Sequence, residues 1–446
     1  MEISEPFLAL GKLALAFILI FGLLRLRAPL WLAIASGAVL VAISCGIALV
    51  DWPGIVFAVV RQQDFLVVSL MVFLICLFSS VQESTGQSRL LVKGLEQHLH
   101  WPRLRLVLFP ALIGLLPMPG GALFSCPMIK DAASEMGVSE QKKALINFWF
   151  RHIWEMAWPL YPGYVLASSL LGIPLSRICL YTFPLPLLAF AVGWFFLMRD
   201  VRPEVMKARA AACQQPDDAA QEPGGDAPIP SLAEVLLHSL PIAVTLIGAL
   251  FFSLLFDIFL QGVPGTLSFS FALICAIGTA LWQGRKRKER FRPGMVFTPN
   301  TRKIMVLLFV IFIFKQTIET SGLLQSLADI ADNTRMVIFS FFLLPFIGGM
   351  LTGMMVGYVG VSFPILLGIL AHSPLQEYTL PLVLLGLISG NAGQMISPLH
   401  VCLVVTSEYF TTPASGMLRR LFMPVLVMFA ASMLLVLIVL TLGMQL

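Results

Sequence analysis

The chain has 446 residues, of which 58% are hydrophobic and 12% are charged, with a formal net charge of +5 and a mean hydropathy of +0.90. Soluble domains carry about 25% charged residues, so this composition excludes a soluble protein. Apolar runs of about 20 residues, long enough to cross a bilayer core, recur from end to end. They predict an all-α polytopic membrane protein.

Twelve apolar runs follow one another along the chain, six on each side of a polar segment. The start, Met-Glu-Ile-Ser-Glu, lacks the basic residues of a cleavable signal, so we expect the first run to remain as a span. The polar segment is rich in Ala, Gln, Pro, Asp and Gly and is predicted to be a flexible cytoplasmic linker. The runs cover residues 7–24, 30–50, 65–83, 104–135, 143–171, 177–198, 233–258, 266–283, 304–322, 336–371, 379–407 and 417–443.

The fourth run of each half is too long for one span and is interrupted near its middle. Pro117-Met-Pro119-Gly-Gly121 interrupts the first, and several glycines between 348 and 360 interrupt the second. Each run is thereby divided into two arms of roughly 12–16 residues, which cross only about half to two-thirds of a ~30 Å core. Each run is therefore either a re-entrant hairpin or one kinked span with a loop.

The distribution of basic residues favours the hairpins. With two hairpins, each half crosses the membrane five times, so the second half is inverted relative to the first. If both termini are outside, 23 of the 29 Lys and Arg residues lie on the inner side, which agrees with the positive-inside rule. If each of the two runs instead crossed the membrane completely, the basic residues around 89–105 and those around 285–303 would have to lie on opposite sides of the membrane.

The fifth run of each half combines polar residues with proline, which predicts a broken helix. Broken backbone at membrane depth must be buried in protein or line a wet cavity. In the first half the pattern is Glu155-Met-Ala-Trp-Pro159, and in the second it is Gln394-Met-Ile-Ser-Pro398.

Four landmarks recur in the same order in both halves, at offsets of 236 to 240 residues. We therefore expect two inverted repeats, each with five transmembrane helices and one re-entrant hairpin. The predicted division is an N-terminal repeat over 1–200, the linker over 201–231 and a C-terminal inverted repeat over 232–446. The matched pairs are Glu83 and Glu319, Pro127 and Pro364, Pro159 and Pro398, and Pro184 and Pro424.

We expect the two hairpin tips and the two helix breaks to meet near the midplane and to form a binding site. Tip glycines expose backbone N–H groups to an anion; the alternative is that they only allow tight turning and close packing. The tip candidates are Gly120, Gly121, Ser125, Thr352, Gly353, Gly357 and Ser362. The break candidates are Asn147, Arg151, Glu155, Asn391, Gln394, Ser397 and His400.

Two pairs of opposite charge have i,i+4 spacing. Arg151 and Glu155 adjoin a break, so we expect a functional role for them, whereas Lys315 and Glu319 are expected to form a structural ion pair. Glu155 corresponds to Gln394 in the other repeat. This asymmetry suits a proton or Na⁺ site at Glu155, and it suits simple pairing of Glu155 with Arg151 equally well.

No catalytic or metal-binding motif stands out. HExxH, GxSxG, Walker A and dinucleotide patterns are absent, and the seven cysteines show no CxxC or Cys/His metal spacing. We therefore expect no enzyme activity, no metal, and no cofactor beyond a coupling ion, Na⁺ or H⁺. The basic run at 285–292 is expected to be a solvated inner loop near anionic lipid, not a nucleic-acid site.

Three stretches carry a resemblance to a known family: LPMPGGALFS over 116–125, GMMVGYVGVSFP over 353–364 and SPLHVCLVVTSEYF over 397–410. Nearly the whole chain resembles a bacterial inner-membrane family, a domain of unknown function, grouped with the ion transporter superfamily. Its distant relatives are gluconate permeases and citrate and dicarboxylate carriers. The resemblance implies inverted repeats, two re-entrant hairpins, and substrate held between hairpin tips and broken helices. The Ser-Asn-Thr tip signature of the dicarboxylate carriers is absent, so their substrate does not carry over.

The predicted function is that of a secondary transporter with alternating access, moving a small organic anion, a carboxylate, with H⁺ or Na⁺. A non-transporting scaffold or accessory subunit of a larger complex is the alternative. The predicted location is the bacterial inner membrane, with both termini periplasmic. Expected partners are membrane lipid, the anionic substrate and, following some relatives of the resembled family, a second copy of the chain in a homodimer.

Overall fold

The structure, a computed structural model, describes residues 5–87, 90, 94, 101–115, 121–134, 136–201, 232–259, 265–286, 296–326 and 332–442. These residues form helices joined by short connections, and none of them lies in a β-strand. The prediction of an all-α polytopic membrane protein is confirmed. Gly120 and the predicted linker, apart from Val201, lie outside the described residues.

In the described part of the first half, three helices have proline as their first residue, where the missing N–H would have no partner within the helix. Pro102, Pro162 and Pro184 occupy these positions. The helices described here are α1 (Glu5–Arg25), α2 (Leu30–Ser44), α3 (Trp52–Arg61), α4 (Gln63–Ser84), α5 (Pro102–Gly114), α6 (Ala122–Ser134), α7 (Glu140–His152), α8 (Pro162–Leu171), α9 (Leu175–Thr182) and α10 (Pro184–Gly193).

In the second half, side chains cap two of the helices. Thr298 Oγ1 accepts from Thr301 N at 3.1 Å, and Asn333 Oδ1 accepts from Met336 N at 3.2 Å. The helices are α11 (Leu232–Phe259), α12 (Gly265–Lys286), α13 (Pro299–Thr320), α14 (Leu323–Ser326), α15 (Thr334–Thr352), α16 (Met355–Ala371), α17 (Thr379–Met395), α18 (Val401–Tyr409) and α19 (Ala414–Thr441).

Within the described residues, five helical segments are long and apolar enough to cross a membrane. Large apolar side chains on them point outward, such as Leu434 and Leu437 of α19, which are 60% and 53% exposed. This is the arrangement expected where the surrounding solvent is lipid. The segments are Gln63–Ser84, Leu175–Met198, Leu267–Arg285, Thr334–Thr352 and Ala414–Thr441.

In both interrupted runs the two arms pack against each other, α5 against α6 and α15 against α16. The arms α5 and α6 have 13 residues each, as predicted. The prediction is wrong for α15 and α16, which have 19 and 17 residues, because α15 continues through Pro345 and ends only where Gly353 adopts a left-handed φ of 63°. A 19-residue helix is about 28 Å long, so the choice between hairpin and full crossing stays a prediction.

Contacts between the two halves come in reciprocal pairs. Helix α2 packs against α13, and α4 packs against α12. In the same way, α6 packs against α18, and α8 packs against α16. In the predicted repeats, α2 corresponds to α12 and α4 to α13, so the contact of α2 with α13 corresponds to the contact of α12 with α4. The contacts of α6 with α18 and of α16 with α8 correspond in the same way. Such reciprocity is what a two-fold relation between two repeats produces, so these contacts support the predicted repeats.

Candidate functional site

The two predicted helix breaks are present. Helix α7 ends at His152, a 3₁₀ turn covers Ile153–Met156, and α8 begins only at Pro162. In the second half, α17 ends at Met395 and α18 begins at Val401. Both breaks therefore bring irregular backbone into the packed interior between the halves.

In the first repeat, the break is hydrogen-bonded to the end of helix α5. Trp158 Nε1 donates to the Leu115 carbonyl at 2.8 Å, and Tyr161 Oη donates to the Gly114 carbonyl at 2.6 Å. The last carbonyls of a helix have no partner within the helix, so these two side chains fix the end of α5 to the break.

The second repeat has the same arrangement at the end of α15. Ser397 Oγ donates to the Met350 carbonyl at 2.6 Å, and His400 Nδ1 donates to the Gly353 carbonyl at 2.5 Å. Both donors lie 239 residues after their counterparts in the first repeat, the offset that separates the two break prolines. The shared geometry is a second observation that supports the repeats.

Glu155 and Gln394, the residues that correspond by repeat, meet each other directly. Gln394 Nε2 donates to Glu155 Oε2 at 2.6 Å, across 239 residues of sequence. Gln394 is buried and Glu155 partly buried. Gln394 Oε1 is buried and has no hydrogen-bond partner in the described part of the chain. A carboxylate and an amide oxygen are thus available where the halves meet.

Arg151, near the end of helix α7, is buried, and its guanidinium lies beside the start of helix α6. Its Nη1 donates to Cys402 Sγ at 2.9 Å. A Cβ added to Gly121 would lie 2.4 Å from Arg151 Nη2, so this glycine provides the space for the guanidinium. A Cβ on Gly114 would lie 2.2 Å from the Arg151 carbonyl oxygen, so α5 and α7 are in backbone contact here.

The predicted helical spacing of Arg151 and Glu155 is absent, because α7 ends at His152 and Glu155 lies on the 3₁₀ turn. The predicted structural pair, in contrast, is present: Lys315 Nζ lies 3.7 Å from Glu319 Oε1, with the Glu319 side chain 44% exposed. An exposed pair of this kind contributes about 0–1 kcal/mol to stability.

Two histidine rings meet beside Arg151. His152 Nε2 and His400 Nε2 are 2.8 Å apart, and both residues are buried. His152, His400 and Cys402 each offer one atom that could bind a metal ion, and these three atoms all lie within 4.8 Å of one another. The sequence prediction named His400 but not the other two. The only feature of the sequence that could have indicated His152 and Cys402 is their position, since each is a polar or titratable residue in an apolar run next to a break.

Asn147 extends this cluster along helix α7. Its Nδ2 donates to Thr406 Oγ1 at 3.2 Å and to Cys126 Sγ at 3.1 Å. Fully buried, it therefore links α7 to both α6 and α18. Asn391 lies on the other side, where it lines a cavity of about 20 Å³ together with His152 and Met395. This volume holds about one water molecule.

The remaining tip candidates bond within their own hairpins. Ser125 Oγ donates to the Ala122 carbonyl at 3.3 Å, and Ser362 Oγ donates to the Tyr358 carbonyl at 2.5 Å. Such back-bonding to the preceding turn uses the hydroxyl proton inside the helix, so these serines are left as acceptors.

Thr352 and Gly357 pack at the second tip. Thr352 Oγ1 donates to the Gly348 carbonyl at 2.8 Å, and a Cβ on Gly357 would lie 2.6 Å from Thr352 Cβ. These contacts agree with the close-packing alternative for the tip glycines, and the binding role of both residues stays a prediction.

Comparison with known proteins identifies a family and a solved structure of similar fold. The family model described as "Protein of unknown function (DUF401)" matches residues 9–213 and 231–441. The crystal structure of the Alcanivorax borkumensis YdaH transporter, described as having an unusual topology, is similar with a TM-score of 0.58. The identity is 16%, over 84% of this chain and 85% of that chain. No curated protein matches. The predicted similarity to gluconate permeases and citrate or dicarboxylate carriers stays a prediction.

Proposed function

This chain belongs to the DUF401 family and shares its fold with a transporter, and from that premise we propose that it is a secondary transporter. It moves a small organic anion, a carboxylate, by alternating access, coupled to H⁺ or Na⁺. We place it in the bacterial inner membrane with both termini periplasmic, following the distribution of basic residues.

The observation that carries the proposal is the position of Arg151. This buried guanidinium lies beside Gly121, directly before helix α6, which begins at Ala122. The N-terminal end of a helix is electropositive and presents unpaired N–H groups. Two positive groups side by side at membrane depth are stabilised by an anion between them. A carboxylate offers the two-oxygen geometry that a guanidinium binds best.

The coupling ion is assigned to the contact between Glu155 and Gln394. Glu155 carries the proton or, with the Gln394 Oε1 atom that lacks a partner in the described residues, coordinates Na⁺. Oxygen ligands suit hard cations. Because the two residues come from different repeats, an ion held here responds to relative movement of the halves, which is the requirement for coupling.

Glu155→Gln is the variant that tests this assignment. The glutamine keeps an acceptor oxygen for Gln394 Nε2 but carries neither charge nor an exchangeable proton. We expect it to lose accumulation driven by a pH gradient while it retains exchange of internal for external substrate. Both are measured in proteoliposomes containing the purified chain.

Glu319→Gln is the matched control, since this glutamate pairs with Lys315 away from the breaks, and it should retain both activities. An unchanged pH profile and unchanged accumulation in Glu155→Gln would remove the proton role of Glu155. If the wild-type chain, correctly folded, transports no anion in the same vesicles, the scaffold alternative is favoured.

A further inference from the structure

The rings of His152 and His400 are both fixed through Nδ1. His152 Nδ1 bonds to the Phe148 carbonyl and His400 Nδ1 to the Gly353 carbonyl, each at 2.5 Å. A carbonyl oxygen only accepts, so each Nδ1 carries the hydrogen. Each Nε2 is therefore the lone-pair nitrogen of its neutral ring, and these two nitrogens point at each other at 2.8 Å.

Two lone pairs at this distance repel unless a cation lies between them. The arrangement is also the one that proteins use to prepare histidine as a metal ligand: the nitrogen that does not bind the metal donates to a carbonyl, which sets the tautomer and the ring orientation. Here two rings from different repeats are prepared in the same way, and they converge on one point.

Cys402 supplies a third donor at that point. Its Sγ lies within 4.8 Å of one ring nitrogen of each histidine and accepts a hydrogen bond from Arg151 Nη1 at 2.9 Å. A neighbouring guanidinium stabilises the thiolate, which is the form that binds metal. Cys402 is two residues after His400, in the first turn of α18, so the end of the break and the start of the helix after it supply both ligands.

We propose that His152, His400 and Cys402 form a binding site for a thiophilic metal ion, Zn²⁺ or Cu⁺. Thiolate ligands favour Cu⁺ and Zn²⁺, and imidazole suits copper and zinc as well. With Zn–N bonds of about 2.0–2.1 Å, tetrahedral coordination requires the two Nε2 atoms to be about 3.3 Å apart. The two Nε2 atoms are 2.8 Å apart here, so binding requires the rings to separate by about 0.5 Å.

The charges around the three ligands are compatible with such an ion. The thiolate and the nearby Glu155 carboxylate are negative, Arg151 is positive, and both histidines bind as neutral rings. A monovalent ion therefore leaves the cluster neutral. A divalent ion leaves one positive charge, which an anion in the fourth coordination position would balance. Bound metal ties the break of the first repeat to the break of the second.

Anaerobic titration of the purified full-length chain with Co²⁺ tests the proposal, because cobalt reports thiolate ligation by a charge-transfer absorption band. We expect one Co²⁺ per chain with this band, and displacement by Zn²⁺. A parallel titration with Cu⁺, in which the protein competes with a chromophoric chelator for the ion, measures the affinity for Cu⁺. The readout is binding, so it succeeds or fails independently of transport.

Cys402→Ser should remove the charge-transfer band, and the near-identical size of serine preserves the packing. His152→Gln and His400→Gln should weaken binding by at least about tenfold, since even second-shell changes cost about 10–100-fold. Cys179→Ser and His372→Gln, which alter a cysteine and a histidine elsewhere in the chain, should bind as the wild type does. The proposal is overturned if folded wild type binds none of the three ions, which leaves a proton alone between the rings, or if binding survives Cys402→Ser unchanged.

Discussion

Replacing Arg151 with glutamine is expected to weaken binding and uptake of the anionic substrate severely. The variant removes the buried positive charge beside helix α6 while it keeps an amide N–H that can donate to Cys402. Truncating one partner of a buried charged hydrogen bond costs about 2–5 kcal/mol of binding. The expected rise in the substrate concentration for half-maximal uptake is therefore at least about 30-fold.

The measurement is initial uptake rate against substrate concentration in proteoliposomes. Arg151→Lys keeps the charge without the planar fork and should be intermediate between wild type and Arg151→Gln. Lys315→Gln, which removes a charge from the ion pair with Glu319, should transport normally. Wild-type kinetics in a correctly folded Arg151→Gln protein would show that Arg151 does not bind the anion.

Adding one methyl group at Gly349 is expected to disrupt the packing of α15 against α17. A Cβ at this position would lie 2.0 Å from the Gly390 carbonyl oxygen and 2.9 Å from Gln394 N. Both neighbours are backbone atoms of α17, so neither can move without the helix. We expect Gly349→Ala to destabilise the protein by about 1–3 kcal/mol or to prevent folding, and to displace Gln394 from Glu155.

Gly278→Ala is the matched control, because it also adds a methyl group to a helix glycine but is expected not to destabilise the protein. Apart from the adjacent residues and the nearby backbone of its own helix, no described atom lies within 4 Å of a Cβ added at Gly278 in α12, and alanine favours a helix over glycine by about 1 kcal/mol. The melting temperature in detergent should therefore fall for Gly349→Ala and stay equal or rise for Gly278→Ala. Equal melting temperatures for Gly349→Ala and wild type would contradict the backbone contact.

The helices could largely be predicted from the sequence because membrane spans depend on local composition. Run 65–83 becomes α4, and run 233–258 becomes α11, within two residues at each end. Helix α3 (Trp52–Arg61) was missed, because a ten-residue helix has no clear signal between two longer runs. The excess length of α15 was also missed, since the glycines between 348 and 360 were interpreted together as one interruption, whereas Gly348 and Gly349 lie inside the helix at sites of close packing.

The site was only partly predictable because its contacts join distant parts of the chain. Arg151, Glu155, Gln394 and His400 stand out as polar residues next to helix breaks. Cys402 does not, because a cysteine in an apolar run is ordinarily a small apolar residue. Its relation to His152, 250 residues earlier, depends on how the two halves pack, and a single sequence contains no direct record of that packing.

Uptake of a panel of carboxylates by proteoliposomes containing only this chain, with an imposed pH or Na⁺ gradient, tests the central claim most directly. We predict that at least one carboxylate accumulates above its external concentration, and that collapse of the gradient or Arg151→Gln abolishes this accumulation. Folded protein that transports no carboxylate under either gradient would contradict the assignment as a cation-coupled anion transporter.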